Sequence, residues 1–389
     1  MAGYHGLFAT NDLCTARKSR PLSSFGRPMG KTLVEHFAVI EDPRRGRVAH
    51  DLTEMLVIVT CAMFSEVETF VDIAEWARHK EDWLRRFLRL DNGLPSHDTL
   101  NRVFRLLDPK AFEGAFRAWV GETLPAFRHV AIDGKSLRGT DKRNPVHMVS
   151  AFATEVGLVL AQREVPNKGS ELSAIPHLLD ALELRGALVS LDALGCQRDL
   201  ARQIRGRGAD YLLAVKGNQP GLRQALEDAF ADQPDVLADE QIREGHGRKS
   251  MQIAQVIPND ALVDREQWPE CASLGRVLSL RVPNGKPARL ETRYYICSAV
   301  LDPDELADTA RRHWAIENDL HWRLDVMLRE DACAVKRDHA PANLSIVRRI
   351  ILNMLKLDTT HPKRSVRLRR KCAGWDDDER MRVLQIQRL

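Results

Sequence analysis

The chain has 389 residues, 44% hydrophobic and 29% charged, with a formal net charge of +4. These values fit an ordinary soluble protein of two or three domains, and the overall charge says little about nucleic acid. The longest apolar run, Met55 to Phe64, is shorter than the ~20 residues a bilayer-crossing helix needs. Residues 1–30 lack the apolar segment of a signal peptide, so a cytosolic location and no membrane partner are expected.

Residues 1–30 read as a flexible basic arm. From Thr32 to Phe127 the pattern is helical. "DLTEMLVIVTCAMFSEV" suits a buried helix, and "TFVDIAEWARHKEDWLRRFLRL" repeats apolar residues at helical spacing. "DNGLP" breaks that pattern, and Ser96 is placed to cap "HDTLNRVFRLL". Two helices around a turn, the second carrying Arg102 and Arg105, admit a helix-turn-helix reading, but the turn is long and a plain helical bundle is the simpler expectation.

After Pro125 the period changes to that of strands: 129–133, then two strands within 147–165 around Glu155–Gly157. A helix over 170–184 with Ser170 as its cap, a strand at 187–193, a helix through "QRDLARQIRGRG" and a strand at 210–217 follow. That order predicts an antiparallel meander feeding βαβ units, hence a mixed sheet with covering helices. Residues 218–300, with the turn "PNGKP", read as a β-rich insertion. Asp302–Pro303 then opens one long helix, and the chain ends in a basic tail containing "KRSVRLRRK".

Seven cysteines at wide spacing, none in a C-x-x-C pair, point to free thiols rather than a zinc ribbon or redox motif. The carboxylates say more. Asp133 and Asp192 each come directly after an apolar strand, "VAID" and "LVSLD". If those strands are neighbours, the two carboxylates emerge at one sheet edge and repel each other unless a divalent cation lies between them. On the late helix, Glu317 falls into the apolar stripe Leu306, Ala310, Leu320, Leu324, Leu328, which makes it either a functional group or half of a core salt bridge. His313 and His321, four residues either side, raise the possibility of zinc, but strand-tip aspartates fit a hard ion better.

"AIDGKSLRGT", "SELSAIPHLLDAL", "LVSLDALGCQ", "YLLAVKGNQP" and "HWAIENDLHWRLDVMLREDA" with "HAPANLSIVRRIILNMLK" occur in this order. Together they resemble the H-repeat-associated branch of insertion-sequence DDE transposases. "HFAVIEDPRRGRVAHDLTEML" and "LPSHDTLNRVF" are similar to that family's amino-terminal helical region, so the resemblance runs from about residue 32 to 358.

The resemblance implies an α/β, ribonuclease-H-like mixed sheet with a β-rich insertion, preceded by an all-helical domain. The division expected is 31–127 for DNA-end binding, 128–358 for catalysis with the insertion at 218–300, and 359–389 as tail. It implies an acidic triad of Asp133, Asp192 and Glu317 holding two Mg²⁺ ions, with Mn²⁺ able to substitute. The partners implied are the element's terminal inverted repeats and target DNA, with a homodimer in the synaptic complex and a place at the nucleoid. Lys135, Arg138 and Lys216, just past strand ends, are candidate phosphate contacts. One departure concerns the wider superfamily's Tyr, Arg and Lys around its glutamate, whose positions here are Ala310, His313 and Leu324. Their phosphate contacts do not carry over, and Arg312 is one candidate substitute. "AIDGKS" also resembles the aspartate loop of haloacid-dehalogenase phosphatases superficially, but Lys135 stands where that loop needs a second Asp. A DNA-binding relative that no longer cuts is the other reading.

Overall fold

Capping fixes the first helices in the computed structural model, which describes residues 31–389 except 142, 144, 234–237, 246–247, 261, 283–288 and 386–389. The expected arm at 1–30 and the turn "PNGKP" lie outside the described residues. A short helix α1 (Leu33–Phe37) precedes α2 (Leu52–Ala62), where Asp51 accepts the Glu54 N–H and Met55 to Ala62 are buried. The segment expected as one helix from Thr69 is split into α3 (Phe70–His79) and α4 (Glu81–Leu84) at Lys80. Ser96 caps α5 (His97–Leu106) through the Thr99 N–H, and Asp108 with Pro109 opens α6 (Pro109–Thr123). Residues 85–96 join α4 to α5, far longer than a tight helix-turn-helix turn.

β1 (His129–Leu137), β2 (Val146–Ala153) and β3 (Leu158–Val165) form the expected meander, and α7 (Glu171–Ala181) leads to β4 (Leu188–Leu191). Then come α8 (Arg198–Gly206), β5 (Asp210–Val215), α9 (Pro220–Ala231), and β6 (Ala238–Gly245), β7 (Arg248–Pro258), β8 (Ser273–Val282) and β9 (Arg289–Cys297). All nine strands share one sheet in the order β3-β2-β1-β4-β5-β9-β8-β7-β6. β1, β4 and β5 are parallel and the remaining pairings antiparallel. The first five strands have the ribonuclease-H-like order, and the insertion extends their sheet through β9 rather than standing apart from it. β1 lies inside the sheet, and Val130, Ala131 and Ile132 are at most 2% exposed, as a strand covered on both faces requires.

The long helix expected from Asp302 is broken. α10 (Pro303–His313) gives way to a π-helical segment (Ile316–His321) and then to α11 (Trp322–Val326). α12 (Ala340–Leu357) is buried from Ala340 to Leu355 and packs on α5, α6 and β3. Its polar residues are used: Asn353 donates to the Val159 carbonyl at 2.8 Å and accepts the Val159 N–H at 2.9 Å, while Asn343 donates to the Phe104 and Leu107 carbonyls. Asn353 thereby serves the free edge of β3 as a further strand would.

The expected tail instead contains α13 (Val366–Trp375) and α14 (Asp377–Leu384). Arg380 is fully buried, with its guanidinium about 5.1 Å and 5.2 Å from the Trp76 and Trp83 ring centroids. Arg370 is buried, and Arg369 donates to the Leu355 and Asp358 carbonyls, so much of the basic run serves docking of these helices. The six cysteines among the described residues are free thiols. No helix among the described residues is long and apolar enough to cross a membrane.

Candidate active site

Asp133 follows Ile132 on β1, and Asp192 follows Leu191 at the end of β4; Ile132 and Leu191 are register partners on adjacent parallel strands. The two aspartates therefore leave the same sheet edge one strand spacing apart, about 4.8 Å. Asp192 turns its Oδ1 back to its own loop, accepting the Leu194 N–H at 3.0 Å and the Gly195 N–H at 3.3 Å.

The side chain of Asp133 is 23% exposed, and burial pushes its carboxyl up to about 7. A bond from the Gly134 N–H opposes that rise, and the charges of Asp192, Glu171 and Glu317 reinforce it. Four carboxylates from β1, the β4 end, the start of α7 and the π segment thus share one electrostatic centre. Among the described residues, no three His, Cys, Asp or Glu side chains are already gathered to hold a metal ion.

Glu317 differs from its expected burial: it is exposed, and no hydrogen bond or ion pair to another described residue engages its side chain. In a regular α-helix it would lie among Ala310, Leu320 and Leu324, but the π turn is one residue longer and rotates it off that face. π turns inside helices are rare and concentrate at functional sites. The two histidines also part company. His321 Nδ1 lies 3.8 Å from Asp133 Oδ2, and burial holds its imidazole down to about 3, hence neutral. His313 instead faces β4, its Nδ1 2.8 Å from Ser190 Oγ. The zinc trio does not form.

Ser190 Oγ also lies 2.8 Å from His129 Nε2, and His129 Nδ1 is 2.8 Å from Thr154 Oγ1. This buried chain ties β1, β4 and α10 together four residues before Asp133 and Glu317 and two before Asp192. Burial, reinforced by Arg293 and Lys216, holds His313 down to about 4; burial, then His313 and Arg312, holds His129 down to about 3. The unfolded chain takes up protons near pH 6.5 that these buried rings refuse. Their stabilising contribution is therefore complete above about pH 6.5 and is lost as pH falls toward 4. For His313 the loss is about 3 kcal/mol. Urea unfolding at pH 7 and pH 4.5 should show it, and His313→Gln should reduce the difference between the two pH values.

The basic residues sort differently from their sequence reading. Lys135 is 8% exposed, with Nζ 2.7 Å from Asp325, 2.8 Å from Asp331 and 3.5 Å from Glu330. An ammonium enclosed by three carboxylates has no face left for a phosphate, so the reading of Lys135 as a DNA contact is withdrawn. Arg138 is 84% exposed on its side chain and reaches Asp331 only at 3.7 Å. Lys216 is exposed and lines a cleft of about 300 Å³ with Asp192, Arg223, Arg293, His313 and Trp314. Arg293 in that cleft stacks 4.6 Å from the Trp314 ring centroid. Arg312 pairs with Asp308 and Glu155, Arg105 pairs with Asp338 at 2.6 Å, and Arg102 is exposed.

Sequence reasoning missed Glu171 and His147. Glu171 was read only as following a capping serine, but Ser170 makes no side-chain cap bond, and Glu171 is 8% exposed with Oε1 2.6 Å from His147 Nε2. Its one sequence signal is the glycine after Asp133. A Cβ on Gly134 would come within 2.4 Å of His147 Nε2 and 2.6 Å of Glu171 Oε1, so any larger residue would push this pair aside.

A family model described as DDE_Tnp_1-associated matches residues 34–120, and one described as Transposase DDE domain matches residues 125–354. The H repeat-associated putative transposase YhhI of Escherichia coli K12 is 35% identical over 359 residues, 88% of this chain and 95% of that protein. The putative transposase YncI of Escherichia coli O157:H7 is 36% identical over 359 residues, 88% of this chain and 91% of its own length. Among solved structures, a piggyBac transposase synaptic complex with hairpin DNA is similar, with a TM-score of 0.45 and 11% identity over 90% of this chain and 76% of that one. The two family matches account for most of the chain, helical region and sheet alike, and the full-length relatives span both: the protein belongs to the DDE transposase family, in its H-repeat-associated branch.

Proposed function

We propose that this transposase cuts the ends of its element and joins them to target DNA, with Asp133, Asp192 and Glu317 as the catalytic triad. The observation that carries the reading is the placement of Asp133 and Asp192 where the β1–β4 pairing ends, close enough to Glu317 that the charges of Asp192 and Glu317 add to the rise that burial imposes on Asp133. Such a donor set, all oxygen and short of counter-charge, fits hard divalent cations. Bound Mg²⁺, or Mn²⁺ in its place, would be held by the triad and would supply an activated oxygen nucleophile and charge neutralisation at phosphorus.

The chain's own groups do the rest. Lys216, Arg293 and Arg138 bind backbone phosphates and set the scissile bond against the aspartates. Water attacks phosphorus first, breaking the P–O3′ bond and freeing a 3′-hydroxyl; this then loses its proton and attacks a target phosphodiester, breaking the target's own P–O3′ bond, whose oxygen leaves as a 3′-hydroxyl. The helical region 31–127 reads the terminal repeats, with Arg102 as its exposed base or phosphate contact. Residues 128–358 carry the chemistry, and two protomers pair two ends at the nucleoid.

A second reading, DNA binding without cutting, draws on one observation. Ala310, His313 and Leu324 stand where the wider superfamily has phosphate-binding side chains, and all three are buried. A shorter relative, matched over 19% of this chain at 35% identity, is named inactive transposase YbfQ of Escherichia coli K12.

The test is a labelled duplex carrying the flanking element end, incubated with the full chain in Mg²⁺, Ca²⁺ or EDTA. Nicking at the end in Mg²⁺ alone is the expected result. Retarded but uncut DNA under every metal would establish the second reading.

A further inference from the structure

Glu171 is the most buried of the four acids near the centre, and among the described residues its one ion-pair partner is His147. It opens α7, is 8% exposed, and accepts no hydrogen bond from another described residue. His147 Nε2 approaches its Oε1 to 2.6 Å, yet that nitrogen makes no hydrogen bond, so the contact does not have the alignment of one. The other ring nitrogen of His147 is settled, 2.9 Å from Ser136 Oγ. A glutamate placed only to serve His147 would be expected to meet its N–H squarely, because a buried carboxylate with poor bonding costs several kcal/mol.

Lys135 does not serve it either, being committed to Asp325, Glu330 and Asp331. What the backbone does provide is access. Gly134, directly after Asp133, has no side chain, and the ends of Glu171 and His147 occupy the room that one would need. The Glu171 carboxylate therefore lies against the β1 backbone beside Gly134, buried and held by its contact with His147.

We propose that Glu171 is a fourth carboxylate of the cation-binding centre, reaching Asp133's side of β1 over the side-chain-free Gly134. This rests on the reading of Asp133, Asp192 and Glu317 as cation ligands and extends it. The fourth acid adds an oxygen donor for a hard cation, and its proximity to His147 keeps it positioned while the centre is empty. Its role is distinct from that of Lys135, which braces the same strand from the carboxylate cluster around Glu330.

The test is Mn²⁺ binding by the full chain without DNA, followed by the loss of free Mn²⁺ signal in electron paramagnetic resonance. Wild type, Glu171→Gln and Asp192→Asn are compared at fixed ionic strength. Gln keeps the shape of Glu171 and removes its charge, and it should weaken Mn²⁺ binding about tenfold with the unfolding midpoint kept or raised. Mn²⁺ affinity within twofold of wild type in Glu171→Gln, with a clear loss in Asp192→Asn, would overturn the proposal and leave the triad standing. Wild-type affinity in both variants, or no binding by wild type, would overturn the triad reading and this proposal together. If Glu171→Gln does not fold, Glu171→Asp serves: its charge sits one methylene back, so reduced affinity supports the proposal and unchanged affinity overturns it.

Discussion

Asp133→Asn should reduce Mg²⁺-dependent cleavage of the element end by a factor on the order of 10³ or more while leaving DNA binding in place. Asn keeps the volume and one oxygen, so the loss would report the missing charge rather than a collapsed strand. The position gives this residue the largest effect of the triad. It lies between the neighbouring strand end of Asp192, the buried acid Glu171 and the π segment carrying Glu317, and all three act on it. The same crowding sets the direction of the stability change. A partly buried carboxylate among like charges is a strained arrangement in the cation-free chain, so Asp133→Asn should unfold at equal or higher urea at pH 8. Activity lost with stability kept or gained would separate function from folding in one variant. Cleavage retained to within tenfold would remove Asp133 from the chemistry.

Glu330→Gln should cost about 3–5 kcal/mol of stability, the largest such effect expected from one side chain here. Glu330 is 1% exposed; its Oε1 lies 2.7 Å from Arg349 Nη1 and accepts from Ser345 Oγ at 2.9 Å, while Oε2 lies 3.5 Å from Lys135 Nζ. Burial alone would raise this carboxyl, but Arg349, Lys135 and Arg348 hold it down to about 2. Without the negative charge, a guanidinium with no exposure at all loses its counter-ion. Arg349 already leaves Nε and Nη2 unbonded, so no other acid is ready to take over. Urea unfolding at pH 7 measures the loss. The double variant Glu330→Met, Arg349→Met should recover most of it, because replacing both charges with apolar volume removes the unpaired ion. A double variant as unstable as Glu330→Gln would locate the cost in packing. The cluster also has a functional consequence, since it joins β1, the segment after α11 and α12, and so braces the two sides of the acidic centre.

Much of the fold was legible because it is encoded locally. Ser96 marks a helix start through its bond to the Thr99 N–H, Asp302–Pro303 opens α10, and "VAID" and "LVSL" read as buried strands from their own composition. The same short stretches place Asp192 at a strand end; Asp133, expected to end its strand as well, lies mid-strand, because β1 continues to Leu137 along β2 after its pairing with β4 stops at Ile132. The helical amino-terminal region and the mixed sheet need only the order of elements and the rules of strand connection.

Tertiary structure decided what depends on partners far away in the chain. Lys135 looks in sequence like a loop cation beside a catalytic acid, and only folding brings Asp331, 196 residues on, to within 2.8 Å of it. Glu317 follows a regular helical stripe, and the π turn that exposes it is a feature of how α10 seats His313 on Ser190 while Ile316, Leu320 and Leu324 stay buried. The basic carboxyl end reads as solvated charge until Arg380 meets Trp76 and Trp83 across the chain. Glu171 shows no periodicity or spacing that ties it to Asp133. A side chain's local pattern specifies which element it belongs to, whereas whether its charge ends in water, in a partner or beside another acid depends on packing between elements. For that reason the sequence by itself determined the buried strands and the aspartates that follow their apolar runs, and only the tertiary structure decided how far β1 continues and which charges surround them.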